Sequence, residues 1–120
     1  MPFIDDQTEQ NVIREFARVT GVKPEEVSVE VVDKLEEQGI RLKSQAQFKD
    51  ESRETDVYIK QLEKNKKFQI VGTLTITGRA SKKIDIDQEY TGNPYSLPQA
   101  LTKLLAVAKV KKGFFKSYLG

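Results

Sequence analysis

A chain of 120 residues, 38% hydrophobic and 32% charged, can bury one modest core and is too polar to be membrane-embedded and too apolar to be disordered. It contains neither cysteine nor histidine, which excludes disulfides, thiolate nucleophiles and thiolate metal sites and removes the usual general base near neutral pH. Net charge is +2, but residues 1–40 carry ten acids against four bases and residues 41–120 carry eight against sixteen, with no acid after Glu89. The C-terminal part is therefore expected to be electropositive, unless the acidic N-terminal part packs beside it.

The first helix is predicted to start at Asp6, because Asp6-Gln7-Thr8-Glu9 sets a cap residue three positions before a glutamate. Val12, Ile13, Phe16 and Thr20 recur at helical spacing, and Gly21 is the natural stop. Lys23-Pro24-Glu25-Glu26 reads as a short turn. A hairpin follows, in which Val27, Val29 and Val31 alternate, as do Ile40, Leu42, Ser44, Ala46 and Phe48; Asp33 to Gly39 is the link. Lys49 to Thr55 is expected to be a polar loop and Asp56 to Leu62 a third strand, with Tyr58 and Lys60 opposite Val57 and Ile59. Glu63 to Lys66 is a tight turn, with Asn65 suited to a left-handed conformation.

The most legible stretch is Lys67 to Thr77. Phe68, Ile70, Gly72, Leu74 and Ile76 share one parity, while Gln69, Thr73, Thr75 and Thr77 share the other, with Val71 as the apolar exception. A period of two with one apolar face is a long antiparallel strand covered on one side. Gly72 is expected to mark a bulge or a close helix crossing. After a turn at Gly78 to Ser81, a fifth strand over Lys82 to Tyr90 puts Ile84 and Ile86 inward and Asp85, Asp87 and Glu89 outward. Ser96-Leu97-Pro98-Gln99 reads as a second capping box. The helix it opens runs to about Lys112, with Leu97, Leu101, Leu104, Leu105 and Ala108 as its apolar stripe. An apolar and basic tail, 113–120, ends the chain. Together these elements predict one α+β domain over residues 1–120. Its architecture is a two-layer sandwich, a five-stranded antiparallel meander with both helices on one face.

Three features stand above background as function candidates. Val107 and Val110 fall roughly opposite the helix stripe, and Phe114, Phe115, Tyr118 and Leu119 follow the helix stop; apolar surface of this kind either closes the chain's own core or docks on a partner. The outer sheet face offers Arg41, Lys43, Tyr58 and Lys60 among amides and threonines, which suits phosphate contact and base stacking. Asp85-x-Asp87-x-Glu89 aligns three carboxylates that could hold a hard cation or form an acid/base pair, although outward charge on an edge strand also guards against aggregation. No phosphate loop, nucleophile elbow or zinc spacing is present.

The reading is a cytosolic, non-enzymatic protein-interaction module, without cofactor or metal. It contacts a protein partner or copies of itself through Val107, Val110, Phe114, Phe115 and Tyr118. The alternative is a sequence-tolerant nucleic-acid binder using Arg41, Lys43, Tyr58 and Lys60 with the C-terminal lysines. No membrane role is expected, since no apolar run approaches ~18 residues and the N-terminal residues lack a basic-then-apolar pattern.

Overall fold

The computed structural model describes residues 4–79 and 81–111, the last five of these as backbone only. The elements are α1 (Asp6–Thr20), a 3-10 turn (Pro24–Glu26), β1 (Ser28–Asp33), β2 (Gln38–Phe48), β3 (Glu51–Glu63), β4 (Lys67–Thr77), β5 (Lys82–Thr91), a second 3-10 turn (Pro94–Ser96) and α2 (Leu97–Lys111). The five strands form an antiparallel meander in the order β1-β2-β3-β4-β5, and the fold is α+β with a helix before the sheet and one after it.

Pairing register explains why one parity is buried. Leu42, Val57, Gly72 and Ile86 lie side by side across β2 to β5, as do Ile40, Ile59 and Ile70. These rows pack against Val12, Phe16 and Ala17 of α1 and Leu97, Leu101 and Leu105 of α2 in one continuous core. Phe68 and Tyr90, opposite one another across β4 and β5, stack with ring centroids 6.2 Å apart. α1 packs on β2 and on α2, and α2 reaches β5. Both helices thus lie on one face.

Several boundaries differ from the expectation, each for a local reason. α1 starts at Asp6 as expected, but its cap is Asp5, whose carboxylate accepts a 2.7 Å hydrogen bond from the Thr8 amide; the Thr8 side chain first, and then that amide, lower the Asp5 pKa. Gly21 ends the helix in the left-handed region at φ 81°. The polar stretch 51–55 is strand, not loop. Arg53 lies over the Phe48 ring, 4.6 Å from its centroid, and Thr55 is buried, so side chains without an apolar signal still face inward. Ahead of α2, Asn93 caps the second 3-10 turn, its side chain accepting from the Ser96 amide at 3.2 Å; α2 follows directly after Ser96, at Leu97. Asn65 does adopt φ 59° in the β3–β4 turn.

Gly72 marks neither a bulge nor a helix crossing. The β3–β4 irregularity sits at Gln61 and Glu63 instead. A Cβ on Gly72 would overlap the Asp56 carbonyl oxygen and approach the Val57 Cα to 2.9 Å, so the neighbouring strand's backbone requires a bare α-carbon there. Because a strand backbone cannot swing aside as a side-chain end can, Gly72→Ala is expected to destabilise the fold by about 1–3 kcal/mol, the usual range for overpacking. Urea unfolding checks this: the midpoint should fall with the slope unchanged, and an unchanged midpoint would contradict the close approach.

Candidate interaction surfaces

The outer sheet face brings the four residues of the nucleic-acid reading close together and then engages three of them internally. Arg41 sits between Glu30 of β1 and Tyr58 of β3 in register. Its guanidinium forks onto Asp56, with Nε to Oδ1 at 3.1 Å and Nη2 to Oδ2 at 2.9 Å. That hydrogen bond, with the charge of Asp56 behind it, raises the Arg41 pKa further. Lys60 lies 4.0 Å from the Glu37 carboxylate. Lys43 borders a depression of about 410 Å³ together with Glu26, Glu54 and Asp56, so three carboxylates face the one cation. An anion approaching this face meets charges already compensated by the protein's own acids.

Tyr58 is held as well. Its ring covers Gly39, where a Cβ would come within 2.5 Å of the phenol oxygen, and its hydroxyl donates to Glu37 in the β1–β2 turn. Burial, and then the Glu37 hydrogen bond, push its pKa up to about 12. The glycine, the tyrosine and the glutamate form one latch that fixes the turn to the sheet. Glu37 carried no signal in the sequence, since acids in a hairpin link are ordinary.

On β5, Asp85, Asp87 and Glu89 are exposed on that same outer face. Gln69 Nε2 donates to Asp87 at 3.0 Å and Lys67 pairs with Glu89 at 3.5 Å, so two of the three are engaged by β4. Among the described residues no three acidic side chains converge on a common point.

On the helix side, Glu15 joins the two helices: Arg18 donates to it through Nε at 2.9 Å and Nη2 at 2.7 Å, and the Thr102 hydroxyl lies 3.2 Å away. The Arg18 contact holds the Glu15 carboxyl below its ordinary pKa. An open groove of about 670 Å³ runs beside this contact, bordered by Tyr90, Gln99, Ala100, Lys103 and Ala106. Glu15, Arg18, Ser96 and Thr102 complete its lining.

The apolar surface left uncovered is concentrated elsewhere. Val29 pairs with Leu42 and Val31 with Ile40, so both valines share the buried face of the sheet, yet they are 37% and 43% exposed. Leu35 at the β1–β2 turn is fully exposed, and Leu62 and Tyr95 also present themselves to solvent. The alternation of Val27, Val29 and Val31 was plain in the sequence, but only Val27 is buried. Which strand the helices leave bare depends on their placement, and no periodicity encodes that. Of the C-terminal candidates, Val107 and Val110 belong to α2, but their side chains lie outside the described residues, as do Phe114, Phe115 and Tyr118 altogether.

Comparison with protein-family models, curated proteins and solved structures finds no match to this chain. Among the described residues no helix is long and apolar enough to cross a membrane.

The Tyr58 latch has a pH signature. A phenol whose pKa is raised on folding contributes stability that is complete below about pH 10 and is lost as pH rises through its folded pKa of about 12. Ultraviolet titration should therefore show a phenol ionising near pH 12, and Glu37→Ala should lower that pKa. No tyrosine ionising there, or one indifferent to Glu37→Ala, would contradict the latch.

Proposed function

We propose that this chain is a small non-enzymatic protein-interaction module that associates, including with copies of itself, through its C-terminal helix and tail. One observation carries this reading. Residues from Ile4 to Leu105 already make a contiguous core, with Phe16, Phe68, Leu97, Leu101 and Leu105 fully buried, while the sequence continues beyond α2 with Phe114, Phe115, Tyr118 and Leu119. A core supplied by the described elements leaves those aromatics for another surface, and large apolar side chains on a charged chain are seldom left in water. Aromatic rings are also the side chains that most often anchor protein interfaces. The absence of histidine and cysteine is in keeping with binding rather than catalysis.

The nucleic-acid reading draws less support. Its ring is spent on Gly39 and Glu37, and Arg41 on Asp56, so strand stacking and phosphate contact would each require a formed interaction to break first. The C-terminal lysines remain as an electrostatic contribution to any acidic partner.

Sedimentation velocity over rising chain concentration tests the proposal. Mass above the monomer is expected, and Phe115→Ser should return the chain to monomer while far-ultraviolet circular dichroism and melting temperature stay unchanged. A strictly monomeric chain, or a Phe115→Ser variant that unfolds, would place those aromatics in the chain's own core and refute the reading.

A further inference from the structure

The sheet has two free edges, and they are not defended alike. β5 carries Lys82, Lys83, Asp85, Asp87 and Glu89 in ten residues, with charge on both faces. Charged side chains of this density are how natural sheets discourage edge pairing. β1 is six residues long, and toward the helix side it presents Val29 and Val31, both exposed, followed by Asp33 at its end. Its opposite face carries Glu30, and the segment 25–37 around it holds six acids against one base. β1 is therefore an edge with two exposed valines in an acidic surround, and among the described residues no strand lies on its outer side.

The chemistry that fits such an edge is an extended segment with large apolar side chains, a cation and no acid. The chain carries one. In Phe114-Phe115-Lys116-Ser117-Tyr118-Leu119, Phe115, Ser117 and Leu119 share one parity, and Phe114, Lys116 and Tyr118 share the other. No acid occurs beyond Glu89, and Lys109, Lys111 and Lys112 precede the segment.

We propose that the C-terminal segment of a second copy adds to the free edge of β1 as a sixth strand. In an antiparallel register that sets Lys116 beside Glu30, Phe115 lies on the helix side beside Val31, and Ser117 and Leu119 follow beside Val29 and Val27. The inference rests on the reading of the tail as an association element and names its acceptor. Main-chain hydrogen bonds along an edge supply affinity, and alternate side chains supply selection.

Reach argues for a second copy over the chain's own tail. Nine residues follow Lys111, a span of about 32 Å at full extension. Six of them paired along β1 take about 20 Å, which leaves about 10 Å to travel from the β5 side, where α2 packs, across four strand spacings of about 19 Å. α1 also stands on that path, packed between β2 and α2.

Charge reversal in the full-length chain tests this. Glu30→Lys alone and Lys116→Glu alone are each expected to weaken self-association at least about tenfold in sedimentation equilibrium, and the double variant Glu30→Lys/Lys116→Glu should restore it. Val31→Asp, at an exposed position that a folded monomer tolerates, should abolish it without lowering the melting temperature. Association that is lost with Phe115→Ser but indifferent to Glu30→Lys and Val31→Asp would overturn the β1 acceptor and leave the assembly reading standing. A chain that stays monomeric at every concentration would overturn both.

Discussion

Two helices of fifteen residues must cover one apolar face of five long strands, and the mismatch in area shapes the rest of the molecule. Helices about 10 Å across cover some 20 Å of sheet width, whereas five strands at about 4.8 Å spacing span roughly 24 Å. A helix of fifteen residues is about 22 Å long, while the thirteen residues of β3 extend to roughly 43 Å. The helices settle where the large side chains are densest, over β2 to β5, where Leu42, Val57, Ile70, Leu74 and Ile86 meet Phe16 and Leu101. The first strand and the sheet ends are left over.

The chain handles those leftovers differently at each place. Near the β2–β3 turn, the cover comes from Arg53 lying over Phe48, a long cationic side chain doing the work of an apolar one. At the opposite end, Tyr58 crosses to the outer face of Gly39 and ties down the β1–β2 turn through Glu37. On β5, the inward positions beyond Ile86 are Gln88 and then Tyr90, which stacks on Phe68, so no aliphatic side chain is exposed there. Only β1 keeps valines where no element of the described fold covers them. This contrast within one sheet makes β1 a surface with a use rather than a flaw in packing.

Much of this was legible in the residues. The alternation through Phe68, Ile70, Leu74 and Ile76 placed β4 to the residue, and the parity of Ile84 and Ile86 placed β5, because a one-sided sheet writes its period directly into the chain. The Leu97, Leu101 and Leu105 stripe likewise marked the buried side of α2. What failed to show was whatever depends on a partner distant in sequence. Residues 51–55 look like loop until Phe48 is seen beneath Arg53. Gly72 looks like a bulge until Asp56 is seen against it. Tyr58 looks like a free ring until Gly39 is seen under it. The cap of α1 is Asp5, one residue before Asp6, because the two neighbouring aspartates offer equally plausible oxygens and backbone geometry chose between them.

The account turns on β1 being the surface that association covers. Amide hydrogen exchange of the full-length chain, followed strand by strand at low and at high concentration, tests that most directly. Backbone amides of Ser28–Asp33 should gain protection as concentration rises, while those of β5 stay as they are. Protection of β1 that is independent of concentration, or a gain confined to β5, would contradict it.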